Sequence, residues 1–311
     1  MAGWKTEDML NGIEGVMDLA AASGEDLAGV SDIVTDAMTA FGLSADGTTK
    51  IIKDGFTKEV SNASHFADVL AAASANSNTN VAMLGESFKY AAPVAGSLGY
   101  SVEDTAIALG LMASSGLKSS MAGSSLRTIL TNLAKPTDDI SDAMDYLGIS
   151  LQNGDGSMKS LMDIVTDLRG AFGQCKMPMD QFQENLAKLD EKYANGELTE
   201  KKYNEALADL TEKAYGAEGA LKAKYAATLA GKEGMSGLLS IVSAAPEDFD
   251  KLTNAIYNSD GAAKEMAEIK MDNLQHDVVK LQSAMEGLGI TAFNQVGGKM
   301  RGLVGIATET V

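Results

Sequence analysis

From residue 85 to 136 the chain reads GESFKYAAPVAGSLGYSVEDTAIALGLMASSGLKSSMAGSSLRTILTNLAKP, and Ala, Gly and Ser fill most of it. Side chains without bulk let helix backbones approach closely, so the stretch suits helix-on-helix packing better than the lining of a catalytic pocket. Helix punctuation recurs within it. Ser101 with Asp104 forms a capping-box variant ahead of the run 106–113, and Gly116 closes that helix. Leu126, Ile129, Leu130 and Leu133 make the next apolar stripe, which Pro136 stops.

The rest of the first 174 residues reads as further short helices. Thr6 caps the first, with Met9, Ile13, Val16, Met17 and Ala20 as its stripe. Ser23 starts a second, carrying Leu27, Val30, Val34, Met38 and Phe41, and Gly42 occupies its C-terminal cap. Phe66, Val69, Leu70 and Ala73 mark a third. Val81, Leu84 and Phe88 mark a fourth, which Pro93 should end or kink. Thr137 caps a short acidic helix bearing Ile140, Met144 and Leu147, and Leu161, Ile164, Val165, Leu168 and Phe172 form another. Between those two, ISLQNGDGS at 149–157 alternates and then turns on glycine. That predicts a small β-hairpin near 149–158, with strand confined to it.

Composition changes after residue 174. Phe182, Leu186, Leu189 and Tyr193 recur at helical spacing, and Tyr203, Leu207, Leu210 and Ala214 repeat the pattern beyond Asn195-Gly196. Glu, Lys and Asp fill the positions between. This is a charged two-helix hairpin with coiled-coil-like spacing, each arm too short to stand alone. Pro246-Glu247-Asp248 then opens a helix, and a last long one begins near Ala262.

Charge and composition exclude several functions. A formal charge of -18, from 43 acidic and 25 basic residues, argues against direct binding of nucleic acid, which needs clustered Lys and Arg. Cys175 is the only cysteine, so no intrachain disulfide forms. The longest nearly apolar run, 106–117, is too short to span a bilayer. The first residues, MAGWKTEDML, have neither the basic nor the apolar region of a signal peptide.

Four linked motifs, APVAGSLGY (92–100), ALGLMA (108–113), GLK (116–118) and AGSSLR (122–127), keep their order and spacing. Together they resemble the core region of phage tail tape measure proteins. The resemblance starts at AGW (2–4), continues through LAAASGEDL (19–27), DAMTAFGL (36–43) and FADVLA (66–71), lapses over about 175–233, and returns at GLL (237–239), DFDKL (248–252) and GAAKEMA (261–267). It implies a ruler-like virion component that occupies the tail lumen, scaffolds tube polymerisation and is made in the bacterial cytoplasm. The implied partners are the tail tube and other tail assembly proteins, with self-association left open. Members of that family are far longer and often carry a membrane-active segment. The chain therefore reads as a fragment, a truncated prophage remnant or an excised piece.

No residue set suggests chemistry. Asn153-Gly154-Asp155-Gly156 is similar to part of a calcium loop but lacks the later bidentate Glu, so a plain turn is the reading. His65 and His276 have no partner at metal-ligand spacing and read as surface or boundary residues. Cys175 has no neighbouring histidine, and no Gly-x-Ser-x-Gly elbow exists. Gly298 and Gly302 form a GxxxG, but Lys299 and Arg301 lie within it. Catalytic, cofactor-binding and metal-binding residues are all read as none, and no cofactor is expected.

The sequence thus predicts an all-α, multi-helix packed core with one small β-hairpin near 149–158 and an inserted charged helical hairpin. Its domains are a core-like helical region at 1–174, the hairpin insertion at 175–233, and returning core-like helices with a Gly-broken tail at 234–311. The function read from it is that of a non-enzymatic tape measure segment. The rival is a cytosolic helical adaptor that uses 175–233 as its binding arm. A cell-wall hydrolase has little support.

Overall fold

Helical periodicity decides most of the architecture. A computed structural model describes residues 6–44, 46–53, 56–173, 179–215 and 219–272. The described residues form α1 (Thr6–Ser23), α2 (Leu27–Ala40), β1 (Thr48–Lys53), β2 (Phe56–Ser61), α3 (Asn62–Asn76), α4 (Val81–Ser97), α5 (Val102–Ser114) and α6 (Ser119–Ala134). There follow α7 (Asp138–Leu147), α8 (Leu161–Phe172), α9 (Met179–Ala194), α10 (Glu200–Tyr215), α11 (Gly219–Ser243), α12 (Pro246–Tyr257) and α13 (Ala262–Met271). The protein is all-α with a small two-stranded addition. Packing divides the chain into two units, Met1–Met266 and Ala267–Val311. The core described below belongs to the first.

Local signals set the helix starts. Asn80 caps α4 by accepting from the Met83 amide at 2.8 Å, and Ser101 caps α5 through the Asp104 amide at 3.0 Å. Ser160 and Asp163 form a reciprocal capping box at α8. The cap of α2 is Asp26, whose carboxylate accepts from Gly29 at 3.1 Å, rather than Ser23, which ends α1. Pro93 does not break α4, which runs on to Ser97. Pro93 and Lys89 both face outward, so the carbonyl that loses its proline-side donor is left where water can reach it.

α5 is the hub. It is buried on nearly all sides, from Val102 through Asp104–Ala113, as expected of a helix apolar all round. α3, α4, α6, α8, α11 and α12 all pack against it. Small residues allow the closest crossings. A Cβ added at Gly123 in α6 would sit 2.2 Å from the Ser87 carbonyl oxygen of α4, and one at Gly237 would sit 2.8 Å from Ser125 Cβ. The small-residue stretch therefore packs as its composition implied.

Two further expectations are corrected. On α1 the buried face is Gly12, Gly15, Val16, Leu19 and Ala22, whereas Ile13 and Met17 are exposed. α3 passes so close that a Cβ at Gly15 would meet Ser64 Cα at 2.5 Å, so the glycines face inward and the larger side chains turn out. Strand is also not confined to 149–158. There the chain makes a turn closed by one bridge, Gln152 to Met158, while the regular sheet is β1 antiparallel to β2, in register from Thr48↔Ser61 to Lys53↔Phe56. Asn62 anchors the sheet to α3: its side chain accepts from Thr49 Oγ1 at 2.8 Å and donates to the Ser44 carbonyl at 2.9 Å.

α11 kinks at Gly231, whose φ of 65° and ψ of -177° only glycine adopts readily. The far end of α11 has an unusual closure. Arg169 of α8 donates from Nη1 to the Ile241 carbonyl at 2.7 Å and from Nη2 to the Ala244 carbonyl at 2.8 Å, with its guanidinium 4.4 Å from the centre of the Phe249 ring. It satisfies carbonyls that a helix end leaves open. Arg169→Met, which keeps the aliphatic stem, is expected to destabilise the core by about 2 kcal/mol. Arg169→Lys should restore little, because one ammonium does not reproduce the planar fork. Urea denaturation checks this, and a methionine variant as stable as the parent contradicts it.

Candidate functional site

The residues singled out in sequence do not converge. His65 is buried rather than at the surface, because nearly the whole circumference of α3 is covered by packing. Its Nε2 lies 2.8 Å from Glu103 Oε1 in the first turn of α5. Burial pushes the Glu103 carboxyl up, but the hydrogen bond and charge of His65 outweigh it and hold the carboxyl below its ordinary range. The pair ties α3 to α5.

Asp155 is engaged within its own turn. Its Oδ1 accepts from the Ser157 amide at 2.9 Å and from Ser157 Oγ at 2.7 Å, and these bonds hold its pKa below the ordinary value. Asn153 Nδ2 donates to Ser157 Oγ at 3.0 Å. Cys175, His276, Gly298 and Gly302 lie outside the described residues. Among the described residues no cluster of three or more His, Cys, Asp or Glu could hold a metal ion. No described helix is long and apolar enough to cross a membrane.

Two further buried acids act as non-local caps. Asp68 accepts from the Gly261 and Ala263 amides, both at 2.9 Å, and so holds the start of α13. Burial raises its pKa despite those two bonds. Asp104 accepts from the Tyr257 hydroxyl at 2.5 Å and from the Met162 amide at 3.1 Å, joining α5 to α12 and α8.

A cavity of about 430 Å³ lies between α6, the end of α9, the start of α10 and the part of α11 just beyond Gly231. Asp190, Tyr193, Tyr203, Ser236, Arg127 and Lys232 are among its lining residues. The Tyr203 hydroxyl donates to Asp190 Oδ1 at 2.6 Å, and the rings of Tyr193 and Tyr203 lie 4.6 Å apart, tilted by 31°. Burial pushes the Asp190 carboxyl up to about 6, against the lowering effect of hydrogen bonds from Tyr203 and Ser236. Burial and the neighbouring Asp190 charge push the Tyr203 phenol well above its ordinary range. Lys232 is paired with Glu200. Nothing in the sequence pointed to this pocket, because its residues come from segments far apart in the chain and each fits a helical stripe or a charged face.

An all-α protein built on close small-residue crossings is what this fold defines, and the comparisons place it. The family described as phage-related minor tail protein matches residues 1–189. The chain belongs to that family. It is 34% identical over 310 residues to the tape measure protein of Pneumococcus phage Dp-1, an alignment covering 100% of this chain and 22% of that protein. It is 27% identical over 261 residues to the probable tape measure protein of Escherichia phage P2, covering 84% of this chain and 27% of the relative. The chain thus spans about a quarter of the length of these curated relatives. No solved structure matches it.

Proposed function

We propose that this chain is the core segment of a tape measure protein, a non-enzymatic virion component that scaffolds tail tube assembly and takes part in setting tail length from within the tail lumen. The observation that carries this reading is the alignment of the entire chain with a phage tape measure protein at 34% identity. Tail tube and other tail assembly proteins are its partners. The fold refines the role. A helix rises about 1.5 Å per residue, so a ruler works by running extended. Here α1 to α12 fold back on one another around α5. This segment would serve as a packed docking unit, and length would be measured by other parts of a longer chain. Within it, residues 175–233 would be an inserted hairpin, a reading supported by the packing of arms α9 and α10 on each other.

The reading is tested by a stop codon early in the gene in its phage: heads should form and tails should not, and tails of normal length made without the protein would refute it. The folded arms give a second expected result. Deleting 180–214 in frame should leave tail length unchanged by electron microscopy. Arms running end to end along the tube would instead shorten tails by about 50 Å, and that result would rule out the folded arrangement.

A further inference from the structure

The cavity beside Asp190 has a charge arrangement that helix packing alone does not require. None of the ion pairs among the described residues uses Asp190, and its hydrogen-bond donor Tyr203 is a neutral hydroxyl. Lys232, the nearer of the two basic liners in sequence to Ser236, is already engaged by Glu200. The remaining charged liners, Arg127 and Glu233, are of opposite sign and both exposed. Asp190 is the less exposed of the two lining carboxylates, and no ion pair among the described residues neutralises it. Beside it lie the mutually packed rings of Tyr193 and Tyr203, and Met121, 51% exposed, lines the same cavity. A carboxylate next to aromatic faces and a thioether binds a cation on an aliphatic stem: the charge meets the acid and the rings, and the stem meets apolar surface. A volume of about 430 Å³ is ample for one such group.

We infer that this pocket is a socket for an ammonium or guanidinium group on an aliphatic stem, with Asp190 as counter-ion and Tyr193 and Tyr203 as its aromatic walls. The same chemistry is offered by a lysine or arginine side chain of a partner protein and by a free polyamine. A chain of charge -18 favours encounters with either. The socket holds whether or not the chain works in a tail.

The test uses the whole chain with its tyrosine rings isotope-labelled, followed by NMR. The probes are N-acetyl-lysine methylamide, N-acetyl-arginine methylamide and spermidine, with N-acetyl-norleucine methylamide and inorganic phosphate as controls. Saturable shifts of Tyr193 and Tyr203 are expected with the cationic probes and not with the controls. Asp190→Asn, which still accepts from Tyr203, should weaken binding about tenfold or more, and Glu247→Gln on α12 should leave it unchanged. Tyr193→Leu removes an exposed wall without burying a polar group, and should weaken binding several-fold even if the Asp190 variant folds poorly. Tighter binding of the amino acid amides identifies a protein side chain as the occupant; tighter binding of spermidine identifies a polyamine. Equal shifts with norleucine, no shift with any cation, or full affinity in Asp190→Asn would each overturn the assignment.

Discussion

Gly123→Ala is expected to lower the stability of the helical core by about 3 kcal/mol and its melting temperature by roughly 6–12 °C. Two effects oppose each other. Alanine is the better helix former by about 1 kcal/mol, and in an open position that gain would dominate. At Gly123 the new Cβ would stand 2.2 Å from the Ser87 carbonyl oxygen, 2.9 Å from Tyr90 Cβ and 3.0 Å from the Ser87 carbonyl carbon. Backbone atoms cannot rotate aside as a flexible side chain can, so α4 and α6 must separate and loosen their buried faces. Gly170 in α8 supplies the control. Nothing lies within 4 Å of its added Cβ and it is exposed, so Gly170→Ala should stabilise by about 0.5–1 kcal/mol. Thermal and urea denaturation followed by circular dichroism compare the two. Shifts of the same sign would mean that the crossing of α4 and α6 is not set by this contact.

That contrast also explains which parts of the fold were legible in the sequence. The stripes of α3, α4, α6 and α8 were readable because each buries its large apolar residues, so periodicity and burial agree. On α1 they disagree. The helix is held by its glycines against Ser64, and hydrophobicity pointed to Ile13 and Met17, which face outward. The β1–β2 hairpin did carry a signal, since Asp54-Gly55 separates two β-branched runs, TTKII and FTKEV, but the helical context obscured it. His65 could not be placed from sequence, because its partner Glu103 is 38 residues away and only the packing of α3 on α5 unites them. The pocket was hidden for the same reason: Asp190 and Tyr203 belong to legible stripes and charged faces, but Ser236 and Lys232 reach them only through the turn that Gly231 makes in α11.

Asp190 should make the protein less stable as pH rises from about 4 to about 6. Its carboxyl has an unfolded value of 3.8 and is pushed up to about 6 in the folded chain, chiefly by burial. In that window the unfolded chain has released the proton and the folded chain has kept it, so folding takes up a proton and weakens as protons become scarce. Full burial would make the loss about 3 kcal/mol, and the opening of the cavity to solvent reduces it to about 2 kcal/mol. Glu103 and Asp155, both held below their ordinary values, act in the opposite direction, while Asp68 acts in the same one. The contribution of Asp190 must therefore be read as a difference. Asp190→Asn should match the parent near pH 3.5 and exceed its stability by about 2 kcal/mol at pH 7, in urea denaturation across a pH series. A difference that does not change with pH, or a less stable asparagine variant at pH 7, would show that the carboxylate is already compensated in the folded chain. A stabilised variant would identify Asp190 as a residue retained at a stability cost, which is the usual mark of a site rather than of a packing position. Saturating N-acetyl-lysine methylamide should then remove most of that cost. A bound cation favours the ionised carboxyl, so the parent's decline between pH 4 and 6 should flatten with the amide present, while the asparagine variant should not respond to it.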